Sequence, residues 1–589
     1  MGLFENLQRQ ASKYGLWKKA VGGLPWMSLL AAIAGVLWLL ILPIEGQFRN
    51  TYISENALLP GQAHTYFRET EWHMVRGYRE EVHRLEDQDE EYRAGVLHQW
   101  FEDIGLKTGF HKWEVKHGDE VKNGTNVYGI LHAPRGDNTE AMVLVAPWFN
   151  KDAHYNDGGV ALCAALARYL KKWSVWSKNI IFVVTSDSQL AIRQWVEAYH
   201  TSLDNTAGAI EAALVLDYPR KEDYFDIIEV YYDGLNGQLP NLDLINTASI
   251  VAGHEGLRMV IQDVHEHNNQ GTYWVRAKTL LRGIAHQLFA GINGLGPGGE
   301  HFSGWRIDTI TLRAHGIHGP ADITTFGRVA ESVFRSVNNL LEHFHQSFFF
   351  YFLLGPKRFV SIGTYLPAAM LVTNSFTVMA IYAMAIGGGG SNRELIRPVA
   401  LATAVFSVCA FFGWVMLWLP TELAVYAMLF ATVATHVTPA VASRFIKTSA
   451  TPNGVFVYNL QSLSLILHGL FLTTLATVNF ALALVVGLLT VPVAWVGYSR
   501  KTAWLWRLSS PFTAILLWAA YKWYHSNEAI DFFTAYSEAV SGLLWGWRAL
   551  QVWTWGVVAS IWLPTWIIAI IVGTINTTSP SVDVEKKTK

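Results

Sequence analysis

Apolar residues follow two different rhythms along this chain. Between residues 47 and 345, short apolar runs alternate with charged and polar stretches. Ala141–Pro147 (AMVLVAP), Asn179–Thr185 (NIIFVVT) and Ala212–Asp217 (AALVLD) are compact runs suited to strands buried on both faces. Gly158–Trp173 instead has helical spacing, with Leu162, Leu166 and Leu170 on one side and Arg168, Lys171 and Lys172 on the other. Leu190–His200 reads as a second helix. This alternation predicts an α/β domain with a mostly parallel central sheet flanked by helices. Such sheets gather functional groups beyond the carboxyl ends of their strands, where Trp148, Ser186, Asp187 and Asp217 fall.

The second rhythm is one of long apolar runs, each near the roughly 20 residues needed to cross a bilayer. They lie at Leu24–Ile44, Phe359–Ile386, Pro398–Leu419, Glu422–Ala442, Val455–Thr477, Phe480–Tyr498 and Gln551–Gly573, and a shorter one at Leu508–Tyr524 makes eight. The first is too long for a cleaved signal and no small-residue cleavage site follows it, so it is expected to stay as an anchor. Phe344–Leu354 (FHQSFFFYFLL) reads as an interfacial segment leading into the second span. The expected organisation is an N-terminus of 1–23, a first transmembrane helix at 24–44, the α/β domain at 47–345 and an interfacial segment at 346–358. An all-α bundle supplies the remaining seven helices at 359–573, followed by a tail at 574–589.

Basic residues orient these spans. Arg9, Lys13, Lys18 and Lys19 precede the first, and the loops on the same side carry Arg393, Arg397, Arg444, Lys447, Arg500, Lys501 and Arg507. Both termini are therefore expected in the cytosol and the α/β domain in a lumen. The ending Lys586-Lys587-Thr588-Lys589 is similar to a dilysine endoplasmic reticulum (ER) retrieval signal. Asn123-Gly124-Thr125 is a glycosylation sequon on the expected luminal side, and Asn576-Thr577-Thr578 falls on the other.

Composition agrees with a multi-pass membrane protein. Of 589 residues, 51% are hydrophobic and 16% charged, with a mean hydropathy of +0.20, against about a quarter charged in soluble domains. A net charge of −2 gives no sign of a nucleic-acid partner. The two cysteines, Cys163 in a predicted helix and Cys409 in an apolar span, offer no disulfide framework. Asn374, His436, Asn459, Gln461 and His468 lie within spans, where polar groups are costly unless they bond to other helices, in this chain or a partner.

The strand ends resemble those of the di-zinc aminopeptidase family. Where that family has a first zinc-binding His, Ala146-Pro147-Trp148-Phe149-Asn150 places a Trp. Asp157 precedes Gly159-Val160 like the bridging Asp, but two residues closer than in the family. Ser186-Asp187 stands for a Glu-Glu pair, Asp217 for the third-strand ligand, and His318-Gly319-Pro320-Ala321-Asp322 for the closing His motif. Trp148 cannot bind a metal, and Ser186 cannot replace the Glu that activates water. What the resemblance leaves is a residual zinc site from Asp157, Asp187, Asp217 and His318. The alternative is that these are polar residues hydrogen-bonded at strand ends.

The whole chain resembles the GPI-anchor attachment subunit of GPI transamidase. The likeness is closest in Asn50–Pro60 (NTYISENALLP), in Gly159–Lys178 with its Trp176-Ser177-Lys178 run, and in Phe182–Thr185. It implies a non-catalytic ER subunit that helps present a GPI lipid and a proprotein substrate for attachment. A caspase-like cysteine protease subunit would supply the nucleophile, since Cys163 lies in a helix without a family-type His nearby. GPI-binding candidates are Tyr52, Ser54, Glu55 and Asn56, just beyond the first span, where an ordinary polar entry into the domain is the alternative. Two further readings stay open: an active metal-dependent peptidase or amide-forming enzyme using the residual site, and a transporter, which the near absence of charge within the spans disfavours.

Overall fold

A computed structural model of the chain describes residues 16–117, 120–219, 223–265, 271–292, 296–316, 318–387, 392–446, 454–496, 505–525 and 530–578. Arg9, Lys13, Lys447, Arg500, Lys501 and the dilysine ending lie outside them. The chain divides into two compact units, Ile41–Thr364 and the combination of Met1–Leu40 with Tyr365–Lys589.

The strands of the first unit are β1 (Arg49–Asn50), β2 (Lys107–His117), β3 (Glu120–Leu131), β4 (Glu140–Phe149), β5 (Asn179–Asp187), β6 (Ala209–Asp217), β7 (Ile227–Tyr231), β8 (Arg258–Ile261), β9 (Asp308–His315), β10 (Tyr351–Gly355) and β11 (Arg358–Ser361). Eight of them form one sheet in the order β2-β3-β5-β4-β6-β9-β7-β8. Its centre is parallel: Val143 on β4 lies opposite Ile181 on β5 and Ala213 on β6. β9 continues parallel to β6, while β3 and β7 run antiparallel to their inner neighbours.

The apolar run of β4 is continuous because both of its faces are covered. Met142, Leu144, Ala146 and Trp148 face one core, shared with helices Asp157–Leu170 and Ile323–Asn338. Ala141, Val143 and Val145 face the other, against Ile192, Trp195 and Val196 of helix Leu190–Thr201. The mostly parallel α/β domain read from the sequence is present.

The stretch 346–358 departs from the interfacial segment expected there. Tyr351, Phe352, Leu353 and Leu354 are buried in β10, which pairs with β11, and β11 pairs in turn with β1. Tyr351 donates its hydroxyl to the Pro240 carbonyl (2.7 Å), so the aromatic run belongs to a folded core. The second span begins at Ile362 rather than Phe359.

The second unit is helical. Among the described residues, five helices are long and apolar enough to cross a membrane: Lys19–Ile41, Ile362–Gly387, Leu395–Trp418, Val455–Val478 and Thr554–Thr574. Thr421–Thr435 and Phe480–Ala494 are shorter apolar helices. Pro511–His525 has 15 residues and is roughly 22 Å long, short of the roughly 30 Å hydrocarbon layer. A further helix, Phe532–Leu550, was not expected from hydropathy. Its charges have tertiary partners: Glu538 pairs with Lys522 (2.7 Å), and Arg548 donates to the carbonyls of Met416 (2.9 Å) and Leu419 (2.7 Å). Those carbonyls lie at the end of helix Asn392–Trp418, which Arg548 thereby caps.

The polar residues within these helices differ in their surroundings, and Asn459 is buried with no partner for its Nδ2 among the described residues. His468 Nε2 meets the Thr490 hydroxyl (2.9 Å), and Gln461 donates to the Ala494 carbonyl (3.2 Å). Asn374 is exposed and has no hydrogen-bond partner among the described residues.

Candidate functional site

The carboxyl ends of β4, β5 and β6 carry most of the predicted site, and its hub is Asn156. That side chain donates to the carbonyls of Pro147 (2.9 Å) and Leu216 (2.8 Å), tying the ends of β4 and β6 together. Its Oδ1 accepts from the amides of Gly159 (3.2 Å) and Tyr218 (2.7 Å), which starts helix Asp157–Leu170. A Cβ at Gly158 would come within 2.4 Å of the Tyr218 ring, and one at Gly159 within 2.4 Å of Asn156. The Asp-Gly-Gly sequence therefore serves close backbone packing here.

Each predicted metal ligand has a protein partner or stands apart. Asp157 is held by Arg79, whose Nε lies 3.1 Å from Oδ2 while its Nη1 reaches Asp223 at 2.6 Å. Asp217 accepts from Asn150 Nδ2 (3.0 Å) and faces Arg313 Nε (3.5 Å), and Arg313 also binds Asp152 (2.6 Å). Asp187 accepts from the amides of Gln189 (2.7 Å) and Ala191 (3.2 Å), at the start of helix Leu190–Thr201. Burial pushes all three carboxyls above the ordinary aspartate range, while Arg79, the helix amides and Arg313 pull the other way. His318 is exposed, and its motif works as a helix start. Asp322 caps Ile323–Asn338 in a reciprocal capping box with Thr325.

Trp148, in the place of the first metal-binding His, is buried and stacks on Tyr155 (5.7 Å between ring centres, 18° between planes). The Arg93 guanidinium lies 5.3 Å from its ring centre. An aromatic stack and two guanidinium–carboxylate pairs thus fill the carboxyl ends of β4 and β6. Arg79 and Arg313 were missed by the sequence reading: Arg79 lies in a charged helix and Arg313 on the buried strand β9, neither with a motif of its own.

Among the described residues, the one group of three side chains able to hold a metal ion is Glu229, His265 and His315. His265 Nε2 lies 3.6 Å from Glu229 Oε1, but the two imidazoles stack at 4.0 Å with planes 20° apart. An ion must lie near the plane of each ring it binds, so nearly parallel stacked rings do not form a closed metal centre without rotation. Beside this group, Lys151 bonds the Tyr231 hydroxyl (2.6 Å) and Asp263 (3.2 Å), and His286 bridges Asp233 (3.0 Å) and Asp263 (3.3 Å).

The GPI-binding candidates divide. The amides of Ser54 and Glu55 both donate to Asp243 Oδ2 (2.8 and 2.7 Å), and Asn246 donates to the Tyr52 carbonyl (2.8 Å). Glu55 is buried and accepts from the amides of His345 (2.9 Å) and Gln346 (2.8 Å), an architectural role. The side chains of Tyr52 and Asn56 are exposed. Asn123 is exposed on β3.

Comparison with known proteins adds a family match. Residues 123–570 match the model of the family described as Gaa1-like, GPI transamidase component. The chain is 38% identical to the GPI transamidase component GAA1 of Saccharomyces cerevisiae, over 96% of this chain and 97% of that protein. It is 33% identical to the GPI transamidase component gaa1 of Schizosaccharomyces pombe, over 83% and 85% respectively. Solved structures similar to it include the Fimbriiglobus ruber glutaminyl cyclase (13% identity, TM-score 0.32, 49% of this chain and 98% of that one). A zinc aminopeptidase from Bacillus subtilis is also similar (13% identity, TM-score 0.24, 37% and 52%).

Proposed function

Because this chain belongs to the Gaa1-like family of GPI transamidase components, we propose that it serves GPI-anchor attachment as a non-catalytic, lipid-presenting subunit. It works in the ER membrane with both termini cytosolic and the α/β unit in the lumen. A caspase-like cysteine protease subunit provides the nucleophile, and this chain helps bring the GPI lipid and the proprotein substrate to it.

The observation that carries the non-catalytic reading is the replacement of metal by guanidinium. Asp157 and Asp217 pair with Arg79 and Arg313, and Trp148 fills the place of the first His with a side chain that cannot bind metal. A carboxylate engaged by a buried cation is not free to coordinate zinc, and no Glu stands at Ser186 to activate water. Exposed Tyr52 and Asn56 remain available to a polar headgroup beyond the first span, while Glu55 and the Ser54 amide hold that segment in place.

The test is GPI attachment by the purified complex carrying Asp217→Asn in this chain, which keeps an acceptor for Asn150 but removes the charge a metal needs. Unchanged turnover, with or without a zinc chelator, is expected. Turnover that falls in the variant and is restored by zinc in the wild type would reinstate the metalloenzyme.

A further inference from the structure

A cavity of about 970 Å³ opens at the amino ends of β6 and β9, the edge of the sheet away from Asp157 and Asp217. That volume is at the upper end of the roughly 300–1,000 Å³ typical of ligand clefts. Its walls are aromatic: Tyr199, Phe344, and the exposed rings of Trp305, Phe349 and Phe350. Two acids line it, and both are more than nine-tenths buried: Asp233 is 6% exposed and Asp308 8%.

Neither acid is fully satisfied. Asp308 Oδ1 accepts from the Asn241 amide (2.6 Å), and among the described residues its second oxygen has no donor. Asp233 Oδ1 accepts from Gln262 (2.9 Å) and meets His286, while its Oδ2 is buried with no partner. A buried carboxylate oxygen without a donor, as at Asp233, is costly, and the complement of both acids is a ligand rich in hydroxyl or ammonium donors. Burial pushes Asp308 up to about 7, so an arriving ammonium gains a carboxylate it can ionise. Flat aromatic walls suit the faces of sugar rings.

The rim of the cavity is also hydrogen-bonded to the first residue of an apolar helix. The Phe350 carbonyl accepts from the Ile362 amide (3.1 Å), and Ile362 is the first residue of the apolar helix Ile362–Gly387.

We propose that this cavity binds the amine-bearing glycan headgroup of the GPI lipid, with Asp233 and Asp308 receiving its hydroxyl and ammonium donors and Trp305, Phe349 and Phe350 covering its sugars. This rests on the GPI-attachment role and assigns it a place separate from Tyr52–Asn56. The competing occupant is an extended segment of the proprotein.

The experiment uses the full chain within its complex in lipid nanodiscs. The probe is a synthetic mannosyl-glucosaminyl-inositol glycan ending in ethanolamine phosphate and carrying a photoreactive group. Crosslinks are expected within residues 299–309 and 343–350. Asp308→Asn should weaken binding roughly tenfold, the scale of one charge-assisted hydrogen bond. Acylating the probe's amines should reproduce that loss in the wild type and add little in the variant. Trp305→Ala, at an exposed position, should weaken both probes alike. Wild-type binding in both variants, or crosslinking of a proprotein peptide to these segments without the glycan, overturns the assignment. If that happens while complex lacking this chain fails in GPI attachment, only the cavity assignment falls. If attachment proceeds without the chain, the subunit role falls with it.

Discussion

Arg79 reaches Asp157 with its Nε 3.1 Å from Oδ2, and both side chains are more than nine-tenths buried. The pair joins helix Glu69–Arg84 to the start of Asp157–Leu170, and through Asp223 it also fixes the loop after β6. Removing one partner leaves the other charge buried and uncompensated. Arg79→Met should therefore cost about 3–5 kcal/mol. Arg79→Met combined with Asp157→Asn should recover much of that loss. Melting of the full chain in detergent measures both, and a double variant no more stable than Arg79→Met would mean the pair is not what holds these helices.

Alkaline conditions should loosen the α/β unit. Burial, then the charge of Asp233, pushes Glu300 up to about 8 from an ordinary 4.5. Burial pulls His286 down, but Asp233 and Asp263 outweigh it and raise it to about 9 from 6.5. Both folded values lie above the unfolded ones, so the native state holds protons that the unfolded chain has released. Each contribution is complete below its unfolded value and disappears as pH rises through its folded one. The melting temperature should fall from about pH 4.5 to 9, and Glu300→Gln should remove the part below about 6.5, where Glu300 acts alone, and lessen it up to about 8. A flat wild-type profile over this range would contradict the assignment.

Much of this was legible in the sequence where burial is two-sided. β4, β5 and β6 cover the three predicted apolar runs, because a strand packed on both faces needs no alternation. β10 was read as interfacial because its aromatic run looks like a membrane-surface segment until the Pro240 carbonyl that receives the Tyr351 hydroxyl, over a hundred positions away, is seen beside it. Helix Phe532–Leu550 escaped because Glu538 and Arg548 look like span breakers until Lys522 and the Met416 and Leu419 carbonyls are seen beside them. At the site, Asp157, Asp187 and Asp217 were placed at the strand ends, but their partners Arg79 and Arg313 were invisible, being set by tertiary packing alone.

Asn123 should carry glycan and Asn576 should not. Asn123 is exposed on β3 in the unit assigned to the lumen, whereas Asn576 lies in the last turn of helix Leu563–Thr578, beyond the apolar span Thr554–Thr574. Single-sequon variants expressed in cells and digested with an endoglycosidase give the answer by gel shift. Glycan on Asn576 would place the tail in the lumen and remove the basis for its retrieval signal.

The segment beyond the first span separates architecture from recognition. Glu55→Ala strips the acceptor from two amides, His345 and Gln346, and should destabilise by about 1–3 kcal/mol. Tyr52→Ala and Asn56→Ala remove exposed groups and should leave folding and assembly intact while lowering GPI attachment. Attachment at wild-type levels in both of the latter excludes the segment from lipid handling.

Asn374 is predicted to face another subunit. Two polar side chains in these helices are used internally, His468 with Thr490 and Gln461 with the Ala494 carbonyl. Asn374, in the middle of Ile362–Gly387, is exposed and has no partner among the described residues. An amide facing hydrocarbon forgoes its hydrogen bonds, whereas one facing a partner helix gains about 1–2 kcal/mol in model peptides. Asn374→Leu should therefore leave this chain as stable as before, or slightly more so, yet reduce the partner subunits that co-purify with it. Asn374→Gln, which keeps the amide, should retain more of them than Leu does. Equal recovery of partners with Asn, Gln and Leu at this position would show that the residue faces lipid, and the interface must then be sought on another helix.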